Sequence, residues 1–177
     1  MKLYLTNLRR LQMRYFQSFS IILLLLFGCQ PKTKTEPVDL TAVKNAVNTQ
    51  LDNFHQVWKA KDIDAIRTLL ADDGLYCGTD PGEFWDKENL LKISARMFAD
   101  ESLVADYSID KREIRVAADG NSATSLEQFT WNQLSQKIPL RFICHFVKIG
   151  DDWKIDFNSV SFIPKNADIS KLNKALE

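Results

Sequence analysis

Glu127, His145 and Arg141 are the residues whose types and spacing best suit acid/base chemistry. If residues 135–137 form one turn and 150–152 the next, Glu127 falls opposite His145, Trp131 opposite Arg141, and His145 opposite Phe157. Ile149 then faces Trp153, and Arg141 faces Ser161. Side chains alternate faces along a strand, so Arg141, Ile143, His145 and Val147 would share a face with Trp153, Ile155, Phe157 and Ser159. There a carboxylate would orient an imidazole, the imidazole would move a proton, and the guanidinium would hold an anionic or carbonyl oxygen. Phe129, Trp131 and Phe157 would wall the group. The competing reading of the same three residues is a neutralised ion cluster at the rim of a sheet.

Asp80 is the second candidate base. A carboxylate at a pocket mouth takes up a proton if burial raises its pKa. Within Gly78-Thr79-Asp80-Pro81-Gly82, Asp80 and Thr79 would serve equally to bond the backbone of their own turn. Glu83 would hold the same loop. Trp58, Tyr76 and Trp85 suit pocket walls, since each offers apolar area with one hydrogen-bonding tip. Trp58 also suits core packing, and His55 beside it reads as a boundary residue. His55 and His145 are the two histidines of the chain, and neither has metal-ligand spacing. With no Gly-rich phosphate loop or serine nucleophile elbow in the sequence, no metal or cofactor is expected.

These residues need a scaffold, and the hydrophobic pattern supplies one. Leu40, Val43, Val47, Leu51, Phe54 and Trp58 recur at gaps of three and four, which predicts a helix with one buried stripe, capped by Asp39 or Thr41. A second helix follows Lys61-Asp62 with Ile63, Ile66, Leu69 and Leu70 inward, stopped by Asp72-Asp73-Gly74. Residues 75–77 form a short strand. Asp86 caps a third helix whose inner side carries Leu90, Leu91, Ser94, Met97 and Phe98. Four strands follow, at 107–117, 123–134, 138–149 and 153–162, with turns at Asp119-Gly120-Asn121 and Gly150-Asp151-Asp152. Helices followed by an antiparallel meander predict an α+β fold with the helices on one sheet face.

The 177 residues suit one domain and a targeting segment, with an ordinary 45% hydrophobic and 26% charged residues. Lys2, Arg9, Arg10 and Arg14 precede the apolar run 19–27, which is too short to span a bilayer and has the length of a signal-peptide core. Leu26-Phe27-Gly28-Cys29 resembles the lipobox of bacterial lipoproteins. That resemblance implies a signal peptide over 1–28, lipidation (palmitate among the acyl groups) at Cys29, and anchoring to a bacterial envelope membrane on its periplasmic or surface side. Translation would start at Met1 or Met13. Residues 29–40 read as a tether, 41–164 as the domain and 165–177 as a tail. Taking the four leading basic residues from 23 leaves 19 against 23 acidic, a net charge of −4. Such a domain lacks the footprint of a nucleic-acid binder. Cys77 and Cys144 are expected as buried free thiols, although an exported compartment permits a disulfide.

Residues 54–70 followed by Tyr76-Cys77-Gly78-Thr79-Asp80-Pro81-Gly82-Glu83-Phe84-Trp85 resemble the SnoaL-like branch of the nuclear transport factor 2-like superfamily. The hairpin Gly150-Asp151-Asp152-Trp153-Lys154-Ile155 is similar too, so the likeness runs from residue 45 to 163. It implies a cone in which three helices close on a curved sheet and leave a pocket at the open end. Ketosteroid isomerase, polyketide cyclases, dehydratases and non-catalytic binding domains share this form, so it implies the fold and not the reaction. Related sequences often carry histidines at alternate positions after the last-strand tryptophan; the corresponding residues here are Phe157 and Ser159. Three functions are open: binding of a small, partly apolar molecule; acid/base catalysis beside a carbonyl, with Tyr76 or Arg141 steadying the oxyanion; and homodimerisation through an outer sheet face carrying Phe142, Phe146 and Val160.

Overall fold

The computed structural model describes residues 37–177, of which Val38–Glu177 form one compact unit. The expectations for 1–28, for Cys29 and for most of the tether lie outside the described residues.

Helix α1 (Leu40–Lys59) begins where the Asp39 carboxylate accepts the N–H groups of Thr41 and Ala42, each at 3.0 Å. This satisfies two of the donors that a helix start leaves unpaired. The stripe buries Val47, Leu51 and Phe54. Lys61 takes a positive φ of 57°, and Asp62 then caps α2 (Ile63–Leu69) by accepting from Ala65 N–H at 2.9 Å.

This second helix ends one residue earlier than its apolar pattern suggests. Leu70 is extended, with φ −95° and ψ 141°, and it opens strand β1 (Leu70–Cys77) instead of closing a helix. Asp72-Asp73-Gly74 lies inside this strand, where pairing with its neighbour shifts between Leu70 and Leu75. Gly74 is needed there because a Cβ would collide with the Tyr76 hydroxyl. That hydroxyl sits 2.9 Å from the carbonyl oxygens of Ala71 and Ile155, so the Tyr76 ring is locked into the core.

Strand β2 (Phe84–Trp85) pairs with β1. Asp86 caps α3 (Lys87–Phe98) through Asn89 N–H at 2.8 Å. The meander is β3 (Ser108–Val116), β4 (Ser122–Thr130), β5 (Leu140–Ile149) and β6 (Asp152–Phe162). A 3-10 turn (Asn166–Asp168) and α4 (Ile169–Ala175) follow and bury no residue. The sheet order is β2-β1-β6-β5-β4-β3, with β1 and β6 parallel and every other pair antiparallel. The architecture is α+β, with α1 packed against β3 and β6 and α3 against β1 and β2.

The register of the meander overturns the expected partners. Strand β4 ends at Thr130 and β5 starts at Leu140, so their connection is longer than the three residues expected. Glu127 pairs with Phe142, and Arg141 with Gln128, neither with His145 or Trp131. The shift is by three residues, an odd number, which moves a whole strand to the opposite face. At the last hairpin His145 does face Phe157 and Arg141 does face Ser161, but Ile149 faces Asp152. A bulge between His145 and Phe146 absorbs the difference. Buried residues therefore run Leu140, Phe142, Cys144, Phe146 on β5 and Trp153, Ile155, Asn158 on β6. Arg141, Ile143, His145, Val147, Phe157 and Ser159 take the other face. Phe142 and Phe146, expected on an open dimerisation face, are core residues.

Candidate functional site

Helices α1 and α3 and the inner sheet face enclose a cavity of about 320 Å³, within the range of small-molecule sites. Its wall is largely apolar and rich in aromatic rings. Phe54 stacks on Phe142, with centroids 5.5 Å apart and planes at 19°, and on Trp58 at 6.0 Å. Trp58 meets Phe98 edge-on at 5.0 Å. Tyr107, just before β3, packs on Phe129 at 4.9 Å and on Trp131 at 5.7 Å. Trp131 is held in turn by its indole N–H, which donates to Val104 O at 2.7 Å. Rings fixed by one another cannot fold inward to fill the space, so the hollow is built into the packing.

One polar chain crosses this wall. His55 and Tyr107 both line the cavity. His55 Nδ1 lies 2.9 Å from the Tyr107 hydroxyl, and Nε2 lies 2.7 Å from Glu127 Oε2. The other Glu127 oxygen accepts from Arg112 Nε at 2.5 Å. Arg112 also donates to Asp52 at 2.6 Å and to Asn48 at 2.9 Å. Lys59 donates to the Tyr107 carbonyl at 2.6 Å, and its ammonium stands 4.7 Å from that ring. Glu127 has no exposed surface. A bare buried carboxylate would be costly, and the arginine and imidazole offset that cost. Burial, and secondarily the Glu127 charge, holds the Tyr107 phenol well above its ordinary pKa.

Two further polar atoms of the cavity wall stand alone. Ser94 Oγ on α3 and Asn158 Oδ1 on β6 are buried, and neither has a hydrogen-bond partner in the protein. Both residues line the cavity.

A family model described as SnoaL-like domain matches residues 47–165. The chain belongs to that family. The fold extends the likeness to the wider nuclear transport factor 2-like group. An NTF2-like protein of unknown function from Pseudomonas putida superposes with a TM-score of 0.62 at 15% identity, covering 71% of this chain and 90% of its own. A protein of unknown function from the DUF3225 family of Pectobacterium atrosepticum gives 0.60 at 18% identity, covering 70% and 92%. An NTF2-like protein from Cytophaga hutchinsonii gives 0.55 at 14% identity, covering 68% and 98%. At such identities the likeness carries the fold alone. No curated protein matches the chain.

In this SnoaL-like domain Trp58, Trp85, Phe129 and Trp131 line the cavity. Glu127 lies directly behind His55. Tyr76, Phe157 and Ser159 do not line the cavity: the first is sealed in the core, and the bulge turns the other two outward. Asn158 and Val160 take the inward places after Trp153 instead. His145 and Arg141 stand on the outer face, where His145 Nδ1 meets Asp156 at 2.7 Å. The expected trio of Glu127, His145 and Arg141 is thus split between two faces. Asp80 is exposed in its loop. The loop is closed by Glu83, which accepts the Asp80 N–H on its carboxylate at 2.9 Å and the Gly78 N–H on its carbonyl at 3.1 Å. Cys77 and Cys144 are free thiols; burial pushes both up, Cys144 far more. Among the described residues no cluster of three or more His, Cys, Asp and Glu suits a metal.

His55, Tyr107, Arg112, Ser94 and Asn158 are the site residues that strand alternation missed. A signal for the first was present. Asn48, Asp52, His55 and Lys59 follow one another at gaps of four, three and four, a polar stripe beside the apolar one on α1. All four bond to the chain running from Arg112 to Tyr107.

Proposed function

We propose that this SnoaL-like domain binds a small, largely apolar molecule in its cavity, and that lipid on Cys29 holds the chain at a bacterial membrane. One observation carries the first part: Ser94 Oγ and Asn158 Oδ1 are buried without partners on the wall of an aromatic hollow. Each such atom costs about 1–3 kcal/mol, and a guest bearing polar groups would recover that cost. The second part is supported by the basic residues before run 19–27 and by Cys29 at its end. No helix among the described residues is long and apolar enough to cross a membrane.

Native mass spectrometry of the chain taken from its own cell envelope tests both parts. The expected spectrum shows acyl mass that Cys29→Ser removes, and a retained compound that Asn158→Leu releases. A chain without acyl mass would end the anchoring reading, and one that retains no compound and takes up no apolar probe would end the binding reading. The chain Tyr107–His55–Glu127 on the same wall favours a second reading, acid/base catalysis of the isomerase or cyclase kind. Under that reading His55→Ala stops turnover of the retained compound.

A further inference from the structure

We propose that binding in the cavity is linked to the proton on His55, which decides whether Tyr107 offers a guest a hydrogen or a lone pair. This rests on the cavity being a binding site. Glu127 is gripped by Arg112 at 2.5 Å. A guanidinium keeps its charge throughout the working pH range, so Glu127 is an ionised carboxylate that can only accept. His55 Nε2, 2.7 Å away, therefore carries hydrogen whatever the charge of the ring. The variable atom is Nδ1, 2.9 Å from the Tyr107 hydroxyl.

When the ring is neutral, Nδ1 is bare and Tyr107 must donate to it. The phenol oxygen then has lone pairs alone to offer. When the ring is charged, Nδ1–H donates to that oxygen, and the phenol hydrogen is released toward the cavity. One proton thus inverts the polarity of the hydrogen-bonding group on this wall. The neighbouring charges permit both states. Asp52 on α1 and Glu127 on β4 favour a proton on His55, and Arg112 on β3 opposes it. Lys59 on α1, above the Tyr107 ring, opposes that proton. Cys144 on β5 stays a neutral thiol through burial and the Glu127 charge. Phe54 and Phe142 pack against the ring. The protonated site suits an apolar guest with a carbonyl or ether oxygen; the neutral site suits one with a hydroxyl.

Two probes with one aromatic body separate these states: 2-acetonaphthone, which only accepts, and 2-naphthol, which donates strongly and accepts weakly. Both stay neutral from about pH 5 to about pH 8, the range in which an ordinary imidazole changes charge. Three of the four tryptophans, Trp58, Trp85 and Trp131, line the cavity, so fluorescence quenching in the full chain reports occupancy. Going from the upper to the lower pH, the affinity ratio of ketone to naphthol should rise roughly tenfold, the worth of one hydrogen bond gained or lost. Tyr107→Phe should bind both probes with a ratio that no longer depends on pH, whereas His145→Ala should keep the dependence. If neither probe quenches, the cavity reading falls and takes this inference with it. If both bind at a ratio indifferent to pH, the proton linkage alone is overturned. A pH-dependent ratio that survives Tyr107→Phe overturns it as well.

Discussion

The molecule holds two histidine–carboxylate pairs of equal length, 2.7 Å in each, on opposite faces of one sheet. Inside, His55 and Glu127 are 10% and 0% exposed; outside, His145 and Asp156 are 36% and 28% exposed. The inner pair cannot stand alone, because the carboxylate's second oxygen and the imidazole's second nitrogen have no water to turn to. Arg112 and Tyr107 take those places, and the polar stripe of α1 supports them. The outer pair has solvent for its remaining valences and recruits nothing more. A short contact between imidazole and carboxylate therefore does not mark a site; the number of further groups it is obliged to gather does.

The largest expected effect is alkaline and strikes both regions alike. Tyr107 sits near the inner pair and Tyr76 near the outer one. Burial chiefly, then the charge of Glu127 for Tyr107 and of Asp156 for Tyr76, holds each phenol above its ordinary pKa of 10.0. A folded state that keeps a proton longer than the unfolded chain loses stability as pH rises above that ordinary value, and keeps it in full below. Tyrosinate absorbance from these two residues and loss of circular dichroism should then rise together. Ionisation of Tyr107 or Tyr76 in a chain with intact dichroism would contradict this.

Next in size is truncation of the carboxylates. Glu127→Ala leaves Arg112 and His55 buried without their acceptor and should cost about 3–5 kcal/mol. Asp156→Ala should cost at most about 1 kcal/mol. Denaturant midpoints at unchanged slope measure both, and equal losses would abolish the distinction between the two pairs. Smallest is the exchange of the rings. His55→Leu should destabilise by about 1–3 kcal/mol through the oxygen it leaves unpaired, whereas His145→Leu should stay within about 0.5 kcal/mol. Chemical shifts of the two imidazoles through a titration would add which ring is coupled to the tyrosine.

The elements were legible in the sequence because their signals are local. Asp39 and Asp86 cap where helix starts demand acceptors, and the three-and-four spacing from Leu40 to Trp58 marks the buried stripe. The faces of β5 and of the last half of β6 were not legible, because alternation gives a period without a sign. One longer connection after Thr130 and one bulge beside His145 reversed which residues look inward. The family likeness, read through the same alternation, placed Phe157 and Ser159 where Asn158 and Val160 stand. His55 was hidden for a different reason. Its partners lie 52 and 72 residues away, so the polar stripe from Asn48 to Lys59 marks a face of the helix without showing what that face bonds.

The parallel pairing of β1 with β6 also bears on how the chain assembles. Tyr76 bonds to Ile155 across 79 residues, and closing so long a loop must precede any reward from the contact. The first strand therefore has only the two-residue β2 beside it until the last has been made. A nascent chain would carry its N-terminal helices, with Phe54, Trp58 and Trp85 of the cavity wall, uncovered until nearly the whole sheet had been made. Truncation before Ser159 would strip that strand of pairing partners on β6, which ties the hollow to synthesis of nearly the whole sheet.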